Sequence, residues 1–214
     1  MRKLLGLFAA GCAVVLFPLG VRAADVQGQP DKPNAPADVQ SLLPNGGFEV
    51  TGATGIPDGW VRWPADAPAA MFTTTDENPA GGKLCLKYDL TAFKYTPELS
   101  GKYMDRGREY VDQTGPSFAV DLAKATRYRF SYWYKADKSD KPAVYLYFAV
   151  YGKDNVVFDY RGHEPMGTGK WEKASTEITL APGSTAVRIG IRGYLGTKVY
   201  LDDVMLEPIT EAGI

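Results

Sequence analysis

From Leu42 onward, apolar and polar residues alternate in short runs separated by Gly, Pro, Asn and Asp. Period two marks a half-buried β-strand, and no window sustains helical spacing with caps at both ends. The clearest runs are KLCLKYDL at 83 to 90, SFAVDL at 117 to 122, TRYRFSYWYKA at 126 to 136, AVYLYFAVYG at 143 to 152, NVVFDYR at 155 to 161, STEITL at 175 to 180, AVRIGIRG at 186 to 193 and VYLDDVML at 199 to 206. YGKDN at 151 to 155 and APGST at 181 to 185 read as hairpin-like loops. So many short strands on one core predict an all-β, two-sheet jelly-roll β-sandwich.

Residues two apart share a side of a strand, so the same pattern assigns faces. Tyr128, Phe130, Tyr132 and Tyr134 point to the core, which leaves Arg129 and Trp133 outside. Val144, Leu146, Phe148 and Val150 point inward, which turns Tyr145, Tyr147 and Tyr151 outward as an exposed aromatic stripe. Val187, Ile189 and Ile191 are buried, with Arg188, Gly190 and Arg192 outside. Rings and cations suit a polyol: a pyranose offers an apolar face for stacking and a rim of hydroxyls for Arg. The candidate ligand-binding residues are therefore Trp133, Tyr145, Tyr147, Tyr151, Arg129, Arg188 and Arg192. A half-covered ring of 150–250 Å² contributes about 2 kcal/mol, so two or three imply binding on the order of micromolar to millimolar.

Composition adds a compartment. The chain opens with Arg2 and Lys3, an apolar stretch from Leu4 to Leu19 and a small-residue Val21-Arg22-Ala23 cleavage pattern, so residues 1 to 23 read as a secretory signal. A lipoprotein acceptor at Cys12 fits less well, because the apolar stretch continues past it. Cleavage removes three bases and no acid, making the formal net charge of −1 more negative and nucleic acid an unfavourable partner. Residues 24 to 40, rich in Pro, Asp, Gln and Ala, form a tether; residues 41 to 209 form the sandwich and 210 to 214 a tail. These features predict a secreted or periplasmic monomer, with no transmembrane segment once the signal is removed. Of the 2 cysteines, Cys12 leaves with the signal, so no disulfide can staple the mature domain.

Asp202 and Asp203 interrupt the apolar run VYLDDVML, and strict alternation places one of them beside core residues whichever side is buried. Glu49 lies in a similar setting after the Pro-Asn-Gly-Gly turn. Calcium takes carboxylate and carbonyl oxygens, and an ion shared by Glu49 and Asp202 or Asp203 would fasten the two ends of the domain. Backbone N–H groups or nearby lysines would satisfy the same acids without a metal.

LLPNGGFE, PDGW, GGKLCLKY, TRYRFSYWYKA and VYLDDVML, in that order, resemble the CenC-type carbohydrate-binding modules of families four, nine and twenty-two. The resemblance covers about Leu42 to Leu206. It implies a galactose-binding-like sandwich that binds poly- or oligosaccharide, with a structural Ca2+ on Glu49 and Asp202. Such modules commonly accompany a glycosidase, and no catalytic domain fits within this length. Trp60 and Trp171 sit where the family also has Trp, and packing is their expected role.

Two alternatives carry other expectations. A glycoside hydrolase would need paired carboxylates, for which Glu98, Asp105, Glu109 and Asp112 are candidates without a fixed separation. A structural or adhesive envelope protein would present a broad apolar patch. His163 is the only histidine, so a histidine-rich zinc site is excluded.

Overall fold

The computed structural model describes residues 41 to 63, 69 to 94, 104 to 105 and 108 to 209. The signal, tether and tail, together with Glu98 and the side chains of Trp63, Asp105, Glu109 and Asp112, lie outside that description. The strands are β1 (Val61–Trp63), β2 (Phe72–Thr75), β3 (Cys85–Asp89), β4 (Met104–Asp105), β5 (Arg108–Ala119), β6 (Arg127–Ala136), β7 (Val144–Gly152), β8 (Val157–His163), β9 (Glu172–Thr179), β10 (Ser184–Tyr194) and β11 (Lys198–Pro208). One antiparallel sheet runs β1-β5-β10-β7-β8 with β4 on β5, and the other runs β2-β3-β11-β6-β9. The chain is a two-sheet β-sandwich.

Alternation fixes the core. Tyr128, Phe130, Tyr132 and Tyr134 of β6 face inward against Leu146, Phe148 and Val150 of β7 and Val187, Ile189 and Ile191 of β10. The Phe130 and Phe148 rings meet edge-on across the layers, 6.4 Å apart. Trp60 is buried between Phe48 and Phe72, as its packing role requires.

Three sequence expectations need correction. APGST is no hairpin: it carries the chain from β9 in one sheet to β10 in the other, whereas YGKDN does join neighbours β7 and β8. The stretch before SFAVDL, which is not among the expected strands, is mostly β5, a 12-residue strand paired to β1 on one side and β10 on the other. Strict alternation also fails within β11. Its register to β6 shifts between Asp202 and Met205, and Asp203 takes a left-handed φ of 44°. This bulge turns the strand over, so Val199 and Leu201 before it and Val204 and Leu206 after it all reach the core.

The opening segment lies along β11: Leu42 N–H donates to Leu206 O at 2.8 Å and Val204 N–H to Gly46 O at 2.9 Å. The backbones approach so closely that a Cβ at Gly46 would fall 1.9 Å from Val204 O. Asn45, at φ 53°, donates from Nδ2 to the carbonyls of Val50 and Asp58 and accepts Val50 N–H. That network aims Phe48 into the core and Glu49 toward the loop before β3.

Candidate functional site

On the outer face of the first sheet, β7 projects Tyr145 and Tyr147 away from the core, where they form a separate cluster with Tyr194 of β10. Each ring lies flat over a glycine of the next strand. A Cβ at Gly190 would stand 2.1 Å from Tyr147 Cζ, and one at Gly162 would stand 2.3 Å from Tyr145 Cζ. Lying down brings the rings together: Tyr145 and Tyr147 are stacked at 5.9 Å and 27°, and Tyr160 of β8 joins Tyr147 at 4.9 Å and 30°. Arg192 sits over both floor tyrosines, 5.5 Å and 5.8 Å from their centroids, and its Nη2 donates to Tyr160 Oη at 3.4 Å. Tyr194 donates to Glu164 Oε1 at 2.5 Å and holds a carboxylate on the same face. Across the β5–β10 pair, Asp112 and Thr114 are the register partners of Arg192 and Gly190.

This face differs from an exposed stripe. Tyr145 and Tyr147 are only 8% and 9% exposed, while Tyr160 is 44% exposed. The two β7 rings form a floor, and Tyr160 stands over it as the accessible platform. Tyr151 is half-buried and lies under Arg188, whose guanidinium is 5.2 Å from its ring.

The sandwich therefore brings together Tyr145, Tyr147, Tyr151, Arg188 and Arg192. It does not bring Trp133 or Arg129 to them. Both belong to β6 in the second sheet and face outward on the opposite side, Trp133 in register with Asp202 and Arg129 3.6 Å from Glu177. Tyr160, Glu164, Tyr194 and Gly162 complete the face and were not singled out in the sequence. A register shift at Val150 and Tyr151 disrupts the parity that would have assigned β8.

At the ends of the domain, two carboxylates grip one loop. Asp202 Oδ2 accepts Ala80 N–H at 2.8 Å and Gly81 N–H at 3.0 Å, and its Oδ1 accepts Asp203 N–H at 2.8 Å. Glu49 accepts Lys83 N–H at 2.9 Å and Leu84 N–H at 3.3 Å through Oε1. Glu49 Oε1 fills the space a Cβ would need at Gly82, which has φ +63°. Asp202 is 1% exposed, and burial pushes its pKa up to about 6 against the pull of those N–H donors. Cys85 is buried on the neighbouring strand, its thiol pushed up to about 12 chiefly by burial, so it is inert packing.

Where the edge strands β8 and β9 part, a cleft of about 230 Å³ opens between the sheets, lined by Phe130, Tyr132, Phe148, His163 and Thr176 among others. Tyr132 Oη and His163 Nδ1 are 2.5 Å apart there. The Nδ1 side of the imidazole is turned into the cleft, and loss of water there lowers its pKa despite the opposing charge of Glu164.

No family model matches the chain, and no curated protein matches it. Solved structures do. The N-terminal endo-1,4-β-D-xylanase 10B of Clostridium thermocellum, as CBM22-1 and GH10 modules complexed with xylohexaose, is similar over 83% of this chain and 30% of its own. The identity is 13% and the TM-score 0.51. Tailspike protein 4 of bacteriophage CBA120, in its enzymatically active domain, aligns over 79% of this chain and 21% of its own at 12% identity and a TM-score of 0.52. A family 61 carbohydrate-binding module in complex with β-1,4-galactotriose aligns over 79% of this chain and 99% of its own, at 16% identity and a TM-score of 0.49. The chain has the jelly-roll fold of carbohydrate-binding modules. Glu49 and Asp202 both meet one glycine-rich loop, residues 80 to 84, by accepting its backbone N–H groups, and Asp202 is a buried acid. Among the described residues no group of three or more His, Cys, Asp or Glu side chains forms. No helix among the described residues is long and apolar enough to cross a membrane.

Proposed function

We propose that this chain is a non-catalytic carbohydrate-binding protein that takes a poly- or oligosaccharide on the outer face of its first sheet. The observation that carries the reading is the cluster of three rings, Tyr145 and Tyr147 stacked and Tyr160 tilted against them, with the Arg192 guanidinium over Tyr145 and Tyr147. A sugar ring stacks on Tyr160 while Arg192 and Glu164 bind hydroxyls on its rim. With one platform about half open and two rings serving as a floor, the expected affinity lies near the weak end, on the order of millimolar for a short oligosaccharide.

Titration calorimetry against a panel of soluble plant and bacterial glycans tests the proposal. Tyr160→Ala is expected to weaken any hit by at least about tenfold with an unchanged melting temperature. Equal affinity in the variant would remove the face from the reading.

The reading includes export and a structural calcium. The N-terminal Arg-Lys and apolar stretch support delivery to a secreted or periplasmic location. The convergence of Glu49 and Asp202 on residues 80 to 84 supports the ion. When bound, calcium supplies positive charge that balances the buried carboxylate, while Glu49 and Asp202 hold the loop against both ends of the domain.

A further inference from the structure

β8 ends the first sheet, and among the described residues no strand pairs with its outer edge. A regular sheet edge is normally protected by charge, proline or a short strand. The other sheet obeys that rule at β9, where the exposed positions are Lys173, Ser175, Thr176, Glu177 and Thr179. β8 carries charge at Asp159 and Arg161 but also leaves Val157, Phe158 and Tyr160, with the adjoining Val156, exposed, and these four make up half of the exposed large apolar residues among those described.

We propose that β8 pairs antiparallel with β8 of a second copy of this chain about a twofold axis at Tyr160. The sequence VFDYRGH is self-complementary about that residue. With Tyr160 opposite Tyr160, Asp159 of each copy faces Arg161 of the other, and Phe158 faces Gly162, over which the Tyr145 ring lies. Asp159 and Arg161 already pair within one strand, Nε to Oδ2 at 2.8 Å, so two copies close a square of alternating charges. Moving the axis by one residue either way opposes Asp159 to Asp159 or Arg161 to Arg161, which like charge disfavours.

The backbone supports the same register. Tyr160 N–H donates to the side chain of its own neighbour, Asp159 Oδ1, at 2.8 Å. In the pair, Tyr160 O of the second copy accepts that N–H, and Asp159 turns to the opposing Arg161. The result is one continuous sheet through both molecules, with the two tyrosine faces side by side.

Sedimentation velocity of the purified chain from about 1 μM to about 1 mM should show the mass rising from one chain to two. Asp159→Arg alone and Arg161→Asp alone should each weaken the dimer by about tenfold or more, and the double reversal should restore it to within about threefold. Melting temperatures establish that each variant is folded. A single-chain mass at every concentration overturns the proposal, as do single reversals that dimerise as well as the parent. Slow hydrogen exchange at Tyr160 and Gly162 in a monomeric sample also overturns it, since that would mean the chain's own residues cover the edge.

Discussion

A methyl group at Gly190 would stand 2.1 Å from the Tyr147 ring, and that ring is the far end of a side chain that can swing. Gly190→Ala should therefore leave the fold within about 1 kcal/mol of the parent while lifting the floor under Tyr160. The expected outcome is a melting temperature nearly unchanged and glycan affinity reduced about tenfold, read by thermal scanning and calorimetry on the same sample. The opposite pattern belongs to Gly46. There the obstacle is the carbonyl of Val204, backbone that is locked in the core strand and cannot move aside. Gly46→Ala should destabilise the domain by about 3 kcal/mol or more, seen as a lower denaturation midpoint in urea. The two substitutions are chemically identical and separate binding from folding, because what each Cβ meets differs. Much of this was open to a reader of the sequence: NGGFE and LDDV stood out as a pair. The role of each glycine did not, since it depends on which atom another strand brings within 4 Å.

At the scale of the element, period two was enough to find β3, β6, β7, β8, β9, β10 and β11 and to say which side of β6, β7 and β10 is buried. It could not say which sheet a strand joins, so Trp133 and Tyr145 were grouped although their strands lie in opposite layers. Nor could it see the bulge at Asp203, where a positive φ reverses the faces of one strand midway. Most of β5 was missed: only its end, in SFAVDL, was expected as a strand, yet residues 112 to 114 lie between β1 and β10. The edge strands set up a pH effect. His163 of β8 keeps Nδ1 against the buried Tyr132 hydroxyl of β6, and loss of solvent lowers its pKa below the ordinary 6.5. The unfolded chain then binds a proton more readily than the fold does, so this contribution is complete above pH 6.5 and is lost as pH falls through the lowered value. Burial of Asp202, which raises its pKa to about 6, acts in the opposite direction across the neighbouring range. The difference between parent and His163→Gln isolates the histidine: the parent's melting temperature should fall more steeply than the variant's as pH drops from 7 to 5. Parallel curves would show that His163 is solvated in both states.

For the whole molecule, the question is what closes a sandwich with no disulfide, since Cys85 is buried and alone among the described residues. The first described residues lie along the last strand, and the acids at each end reach into the same loop, Asp202 to Ala80 and Gly81, and Glu49 to Lys83 and Leu84. Without a counter-ion the joint holds a buried carboxylate at a cost, because burial keeps the Asp202 pKa raised to about 6 even against its backbone N–H donors. A divalent cation would offset that cost. If calcium binds the folded chain alone, tenfold excess over its dissociation constant adds about 1.4 kcal/mol, or a rise of about 3–6 °C for a domain of this size. Calcium added to chelator-treated parent should raise the melting temperature by that amount, and magnesium at the same concentration should raise it less, because its octahedral demand suits a carbonyl-rich loop poorly. Asp202→Ala should melt at one temperature with or without calcium. A parent insensitive to both chelator and calcium would mean that the N–H groups of residues 80 to 84 satisfy the two acids unaided.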